Sequence, residues 1–396
     1  RPDPEDPKPT LARVVAAHSL WRQCTRTYED CPVMENGPWS LAVYLEAIKS
    51  FRESSQREVA RVKRNLTGLS DDDKASLIWK PEDQILKMEE AVAANLGILE
   101  KIAELIRGAQ QARAPQPPVH DGSAPQVGSK SVQALLQGLV REWAAEGSQE
   151  RQESFTPLLG ALDRHLQARL EQARASGAAP LLVMCPGAQF GRLPFEVQRR
   201  GYSCEACEAR PLWYFAADFL RRQGSISEAH RIQPFVINTC NRYKQGDHIR
   251  VTPIPDVAIE DGVLPPFRFG EFTHLYNSAS QVGRFDAVLT AFSLDTSPNV
   301  LRFVRTVAHI VKPGGLWANF GPLAYDNDHD EGYGHSMELS WEELRHAVSH
   351  FFEIKEEEYV DSLYAANAES MMQIQYTCVY FSAVRNDSPA KGIGEK

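Results

Sequence analysis

The stretch from 181 to 197 limits the fold more than any other part of this chain. Its first five residues, 181–185, are an apolar run without polar alternation, which is typical of a central parallel strand because helices cover both faces of such a strand. Gly187 and Gly191 come next and permit a tight turn. A helix is predicted from about Leu193, with free backbone N–H groups facing the turn. Strand, glycine turn and helix in this order predict a doubly wound α/β sheet that binds a ligand at the turn.

The net charge limits the possible binding partners, and the cysteines indicate the cellular compartment. The 396 residues carry a net charge of −9, which argues against non-specific binding to nucleic acid or to an anionic membrane, since both need a basic surface. No apolar run approaches the ~20 residues of a membrane span, so a soluble protein is expected. Seven scattered cysteines predict free thiols in a reducing compartment. We expect a cytoplasmic protein that is also present in the nucleus.

Helical patterns precede the predicted sheet. The stretch 41–66 is charged and free of proline, which suits one long amphipathic helix, and Ser70 is a predicted N-cap. Apolar side chains then recur at helical spacing, at Ile85, Met88, Val92, Leu96, Leu99, Ile102 and Leu105. The predicted division is a disordered lead-in over 1–10, a helical module over 11–176 with a flexible loop at 108–130, and an α/β domain over 177–396.

Four further strands of the sheet are predicted after this first strand, and two of them end in acidic residues. A second strand over 201–208 ends at Glu208, and a strand over 285–295 ends at Asp295. Parallel sheets place their ligands at this carboxyl edge. The irregular, polar stretch 224–266 is too long for an ordinary connection, so we predict a substrate-recognition insert there. The remaining predicted elements are helices over 212–222, 300–311 and 341–348, strands over 267–272 and 316–320, a turn over 312–315, and a closing antiparallel pair over 351–360 and 375–384.

This order of elements is that of a class I methyltransferase that uses S-adenosylmethionine. The glycines would admit the methionine end of this cofactor, and Glu208 would bind its ribose. Glu271 with Phe272 would hold and stack the adenine. Taken alone, Gly187 and Gly191 could equally be a structural turn.

Several motifs resemble those of the carnosine N-methyltransferase family, in the right order from about His18 to Arg385. They are Pro186-Gly187-Ala188-x-x-Gly191-Arg192-Leu193, Pro255-Asp256-Val257, Asp295-Thr296-x-x-Asn299-Val300, Lys312-Pro313-Gly314-Gly315-x-Trp317-x-Asn319-x-Gly321-Pro322-Leu323-x-Tyr325 and Ser370-Met371-Met372. The resemblance implies methyl transfer from S-adenosylmethionine to an imidazole nitrogen of carnosine, which gives anserine and S-adenosylhomocysteine. It also implies helices that help to cover the cofactor.

The resemblance also implies site residues. The expected cofactor contacts are Arg141, Gly187, Gln189, Gly191, Arg192, Glu208, Glu271, Phe272 and Phe292. The expected substrate contacts are Asp295, Tyr325 and Tyr376. Three positions depart from the family pattern, since Gln189 replaces its middle glycine, Asp326 replaces a histidine and Ile374 replaces a tyrosine.

Asp295 is the predicted catalytic carboxylate, with Asp326 and His329 as helpers. Methylation leaves an imidazole ring positively charged, so a carboxylate beside its other N–H would orient the ring and stabilise the developing charge. Asp295 could instead be a helix N-cap, and Tyr376 could be a half-buried strand residue.

Other features have simpler interpretations. Cys204 and Cys207 are interpreted as a structural thiol pair rather than a zinc or redox site. The acidic stretch 326–331 could bind a cation but is interpreted as a solvated loop, so no metal is predicted. Two alternative functions stay open, a peptide or protein histidine methyltransferase and a non-catalytic cofactor-binding scaffold. The expected partners are a small dipeptide substrate and a second copy in a homodimer.

Overall fold

The computed structural model describes residues 41–111, 128–265, 267–325 and 337–389. Its first part is helical, as predicted. Ser70 is an N-cap whose side chain accepts a hydrogen bond from the backbone N–H of Asp73 at 3.1 Å, and Gly177 ends the last of these helices with φ 70°. The helices are α1 (Ala42–Thr67), α2 (Asp71–Ala75), α3 (Pro81–Gln111), α4 (Ser129–Trp143) and α5 (Ser148–Ser176). Most of the predicted loop at 108–130 lies outside the described residues.

A seven-stranded sheet forms the second part and has the predicted α/β architecture. The strands are β1 (Leu182–Pro186), β2 (Ser203–Glu208), β5 (Phe267–Phe269), β6 (Phe285–Ala291), β7 (Val311–Gly321), β8 (Phe352–Leu363) and β9 (Gln375–Arg385). Their order is β5-β2-β1-β6-β7-β9-β8. The first five strands are parallel, and β9 pairs antiparallel with both β7 and β8. The chain reverses direction across the sheet between β1 and β6, so a ligand site is expected at their carboxyl ends.

Helices cover both faces of this sheet. They are α5 together with α6 (Arg192–Arg199), α7 (Pro211–Gln223), α8 (Phe272–Leu275), α9 (Val300–Ile310) and α10 (Trp341–Ser349). One buried cluster on one face includes Leu166, Val183 and Leu289, and another on the opposite face includes Met184, Val288 and Val304. Consecutive residues of β1 therefore contribute to opposite cores, which explains the unbroken apolar run at this strand.

Two motif residues on β7 form a buried polar network with a threonine on β6. The hydroxyl of Thr290 donates to Asn319 Oδ1 at 2.8 Å and accepts from the indole N–H of Trp317 at 3.1 Å. Asn319 Nδ2 also donates to the carbonyl of Val379 on β9 at 3.1 Å. These contacts join three strands, so Trp317 and Asn319 have structural roles. The predicted turn at 312–315 is instead an irregular part of β7, where the register shifts and Gly314 has φ 72°.

The insert at 224–266 is more regular than predicted. It contains a two-stranded antiparallel sheet of β3 (His230–Ile232) and β4 (Thr252–Ile254). Ile232 and Ile254 are fully buried in a cluster that also contains side chains of α1, α3 and α4. The insert therefore packs on the N-terminal helices, and sequence periodicity missed strands of only three residues.

Candidate functional site

The glycine turn between β1 and α6 is tightly packed. Gly187 has φ 61°, and a Cβ there would lie 2.7 Å from Ser293 Cβ. Gly191 has φ 92°, and its Cβ would lie 2.7 Å from Leu264 Cδ1. Any larger residue would be strained and would clash, so both glycines have a structural role. The turn also lines a cleft together with Arg141, Glu142, Phe155 and Leu193.

Gln189 occupies the middle of this turn and is 5% exposed. It has φ 51°, a left-handed conformation that favours glycine. Its backbone N–H donates to Glu208 Oε2 at 2.9 Å, and its side-chain oxygen accepts from Arg141 Nη1 at 3.4 Å. The extra side chain is thus folded against a buried arginine, and the turn is joined to the end of β2.

Arg141 is a buried cation on α4, 3% exposed. Its Nε lies 3.3 Å from Glu150 Oε2, and its Nη1 lies 3.7 Å from Glu142 Oε1. Its guanidinium carbon is 4.5 Å from the ring centre of Phe292 and 5.3 Å from that of Tyr364. Among the described residues Nε has no hydrogen-bond acceptor of good geometry. An arginine with unused donor capacity in a cleft can bind a carboxylate.

Glu142 is a site residue that the sequence did not reveal as such. Its Oε2 accepts from the backbone N–H groups of Phe190 and Arg192, at 3.2 and 3.1 Å, and so caps the start of α6. Burial raises its pKa from 4.5 to about 7, against the opposing effect of the charge on Arg141. Its position beside Arg141 in the sequence was the available signal.

Glu208 is at the carboxyl end of β2, as predicted, and is 2% exposed. Besides Gln189, it accepts hydrogen bonds from Arg210, from the backbone N at 2.9 Å and from Nε at 3.0 Å. The Arg210 guanidinium lies over the Trp213 ring, 4.5 Å from its centre. Arg210 therefore neutralises the carboxylate that was predicted to bind ribose. Arg210 was not identified from the sequence as a partner of Glu208.

Arg192 points away from the glycine turn. Its Nη1 donates to Asp256 Oδ1 at 2.5 Å and to the carbonyl of Glu142 at 3.1 Å. Arg151 Nη2 donates to the other carboxylate oxygen, Asp256 Oδ2, at 2.6 Å. The Pro255-Asp256 motif therefore joins the insert to α5 and α6, and the side chain of Arg192 has a structural role in this network.

Glu271 and Phe272, the predicted adenine contacts, lie after β5. The Glu271 carboxylate caps α8 by accepting from the backbone N–H of His274 at 2.9 Å. Phe272 is 5% exposed and its ring packs against those of Phe303 and Tyr276, at 4.8 and 5.5 Å between ring centres. Both side chains thus stabilise α8 and its packing after β5, and the adenine role stays a prediction.

Asp295 lies beyond the carboxyl end of β6, in a short 3₁₀ helix (Leu294–Thr296). Its Oδ2 accepts from the backbone N–H of Ala324 at 2.8 Å, and it is 7% exposed. The N-cap alternative is wrong, since Asn299 caps α9. Phe292, three residues before Asp295, has φ 50°, and the Arg141 guanidinium lies over its ring.

Tyr325 and Tyr376 are near the same edge of the sheet. The hydroxyl of Tyr325 donates to the carbonyl of Leu339 at 2.9 Å, and burial raises its pKa. The ring of Tyr376 lies 5.9 Å from that of Tyr364, which itself is 5.0 Å from Phe292. Ile374 is exposed. Asp326 and His329 lie outside the described residues.

The thiols do not pair as predicted. Cys204 and Cys207 contribute to clusters on opposite faces of the sheet. The Cys204 sulfur instead lies 3.7 Å from that of Cys185 on β1, and burial raises the pKa of the Cys204 thiol well above its usual value. Within the described part of the chain, no three His, Cys, Asp or Glu side chains are grouped as metal ligands.

The sequence match decides the family. The model of the carnosine N-methyltransferase family matches residues 120–387, a range that includes the glycine turn, Arg141, Glu208 and Asp295. The chain belongs to the carnosine N-methyltransferase family. It is 31% identical over 259 residues to carnosine N-methyltransferase of Dictyostelium discoideum, covering 64% of this chain and 54% of the relative. It is 31% identical over 260 residues to the Mus musculus enzyme, covering 63% of this chain and 62% of that relative.

This carnosine N-methyltransferase family member therefore spans only part of the length of these relatives. Solved structures with a similar chain course include magnesium protoporphyrin IX methyltransferase from Synechocystis PCC 6803, with 11% identity and a TM-score of 0.31 over 58% of this chain and 86% of that one. Another is 1,6-didemethyltoxoflavin-N1-methyltransferase of Burkholderia thailandensis, with 14% identity and a TM-score of 0.30 over 70% of this chain and 94% of that one. The fold assignment rests on the strand order of this chain itself. In its described part, no helix combines the length and apolar character that crossing a membrane requires.

Proposed function

We propose that this chain transfers a methyl group from S-adenosylmethionine to an imidazole nitrogen of carnosine, giving anserine. One observation carries the proposal. Arg141, the glycine turn and Glu208 are joined through Gln189 at the carboxyl edge of the sheet, in a chain whose residues 120–387 match the family.

The residues at this edge fit the cofactor. Arg141 is a buried cation whose Nε makes an ion pair with Glu150 at 3.3 Å but no hydrogen bond of good geometry among the described residues, and such a guanidinium suits the carboxylate of a methionine group. Gly187 lines the same cleft as Arg141. Glu208 is at the strand end where doubly wound folds bind ribose, and the adenine would lie near Glu271 and Phe272. When bound, S-adenosylmethionine supplies a methyl group that is already activated for transfer.

The chain's own residues then have to align the acceptor. Because the donor is activated, rate depends mainly on holding a lone pair of the imidazole in line with the methyl group. Asp295 is fixed by the Ala324 N–H at 2.8 Å, so its carboxylate can accept the other ring N–H. That hydrogen bond selects the tautomer whose free nitrogen faces the donor, and it stabilises the positive charge that the ring gains. Tyr325 and Tyr376 would line the acceptor side.

The acceptor must be neutral for this reaction. An imidazole with an unperturbed pKa near 6.5 has no free lone pair once it is protonated. We therefore expect the transfer rate at low carnosine concentration to rise with pH through this range.

Two experiments test the proposal. Isothermal titration with S-adenosylmethionine is expected to show binding, and its absence would rule out both an enzyme and a cofactor-binding scaffold. Mass spectrometry after incubation with carnosine, histidine or a histidine-containing peptide is then expected to show methylated carnosine. Methylation of the peptide alone would identify a peptide methyltransferase, and binding without any methylated product would identify a scaffold.

A further inference from the structure

Glu150 is a buried carboxylate in the first turn of α5, 6% exposed. Its Oε2 lies 3.3 Å from Arg141 Nε. The same carboxylate accepts two backbone hydrogen bonds from the connection between β8 and β9, from Ala365 N at 2.9 Å and from Ala366 N at 2.8 Å. These contacts join positions 215 and 216 residues apart in the sequence. One side chain therefore touches both the cleft arginine and a distant connection.

The connection after β8 also reaches the acceptor side. Tyr364 begins it, and its backbone N–H donates to the carbonyl of Ile374 at 3.1 Å, which closes the connection on itself. The Tyr364 ring lies 5.3 Å from the guanidinium carbon of Arg141. It also lies 5.9 Å from the ring of Tyr376, the predicted substrate contact on β9. A shift of this connection would therefore move groups on both sides of the cleft.

Loss of the Glu150 carboxylate would affect Arg141 and the connection after β8 at the same time. With Glu150 neutralised or removed, Arg141 would keep Glu142 as a carboxylate neighbour at 3.7 Å, and two backbone N–H groups would lose their acceptor. Ala365 and Ala366 are half-buried, and loss of an acceptor is unfavourable for donors that water reaches only in part, so we expect the connection to rearrange. The conformations of Arg141 and of the 364–374 connection are thus linked through one carboxylate.

We propose that Glu150 is a positioning residue that couples the cofactor site to the acceptor site. Arg141, held between the carboxylate of the bound cofactor and Glu150, fixes the Glu150 side chain, which in turn fixes the 364–374 connection beside the acceptor. The inference rests on the proposed function, because it takes Arg141 as the cofactor contact. Its consequence is that cofactor and acceptor bind with positive cooperativity.

The first test measures this cooperativity in Glu150→Gln. The dissociation constant of S-adenosylhomocysteine is measured with and without saturating carnosine. The unmutated protein is expected to bind on the order of tenfold more tightly with carnosine, and Glu150→Gln is expected to lose this ratio. Glu153→Gln is the control, because Glu153 accepts from Leu363 N at 3.3 Å but makes no contact with Arg141 in the described structure. Unchanged cooperativity in folded Glu150→Gln would contradict the inference.

The second test uses the unmutated protein, so it does not depend on a variant that folds. Hydrogen–deuterium exchange is followed by mass spectrometry with S-adenosylhomocysteine alone. Slower exchange is expected in a peptide covering 364–374 as well as in the glycine turn. Slower exchange in the turn with no change at 364–374 would contradict the coupling and leave the proposed function intact. If S-adenosylhomocysteine fails to bind at all, the proposed function itself is wrong and the inference fails with it.

Discussion

Asp256 Oδ1 and Arg192 Nη1 form an ion pair 2.5 Å long that joins the insert to the first residue of α6. The other oxygen of Asp256 pairs with Arg151 at 2.6 Å. Both arginines are less than a tenth exposed. The carboxylate thus holds the helix that follows the glycine turn against the N-terminal helices.

Replacing Asp256 with alanine is therefore expected to destabilise the protein and to weaken cofactor binding. Removing one partner of a buried ion pair typically costs about 3–5 kcal/mol, because the remaining charge stays buried. Thermal unfolding of Asp256→Ala is compared with that of Glu46→Ala, which removes a pair with Lys49 that is mostly exposed. A similar melting temperature for the two variants would show that the Asp256 network is not a major support of α6.

Under the proposed function, Gln189 is expected to compete with the cofactor for Arg141. In Gln189→Ala the guanidinium loses the acceptor at 3.4 Å, so S-adenosylhomocysteine is expected to bind more tightly, by roughly 0.5–1.5 kcal/mol for one hydrogen bond. Gln189→Glu is the matched control, since a carboxylate of the same shape should hold Arg141 more strongly and weaken binding. Titration calorimetry measures both variants. Equal affinity for the two would mean that the Gln189 side chain does not act on Arg141.

Glu142 adds a pH dependence to stability. Its pKa is raised from 4.5 to about 7 by burial, so between these values the folded protein keeps a proton that the unfolded chain has released. Its contribution to stability is therefore greatest below pH 4.5 and is lost as the pH rises to about 7. The midpoint of urea unfolding at pH 5 and at pH 8 is compared for the unmutated protein and Glu142→Gln. The variant is expected to lose less stability on going to pH 8, and an identical difference would contradict the assignment.

Asp295→Asn separates the catalytic role proposed for the Asp295 carboxylate from its contact with Ala324 N. The asparagine oxygen can still accept from Ala324 N–H, so the fold should be kept, whereas the charge beside the imidazole is lost. The rate of methyl transfer is expected to fall by roughly 10²–10⁴, with little change in the affinity for S-adenosylhomocysteine. Asn299→Ala, which removes the α9 cap, is the control for local stability. Full activity of Asp295→Asn would refute the role proposed for this carboxylate.

Much of the fold could be predicted because local patterns determine it. The apolar run before Gly187, the helical spacing in α3 and the Ser70 cap each have a local physical cause, and the succession of such elements predicts a doubly wound sheet. Glu208 and Asp295 could be placed at the carboxyl edge because they follow predicted strands.

The contacts within the site could not be predicted, since they join residues far apart in the chain. Arg192 lies 64 residues from Asp256, and no local pattern indicates that its side chain turns away from the glycine turn. Cys204 lies beside Cys185 rather than Cys207 because residues three apart on a strand point to opposite faces. Likewise, Glu142 and Glu150 lie within the predicted helical module, and no local pattern in the sequence marks them as site residues. Only the packing of α4 and α5 places their carboxylates around Arg141.

The most direct test of the proposed methyl transfer is mass spectrometry of carnosine after incubation with the protein and S-adenosylmethionine carrying an isotopically labelled methyl group. We expect carnosine to gain one labelled methyl group, and fragmentation to place it on the imidazole ring. Carnosine that stays unmodified, although the protein binds S-adenosylmethionine, would contradict the proposed function.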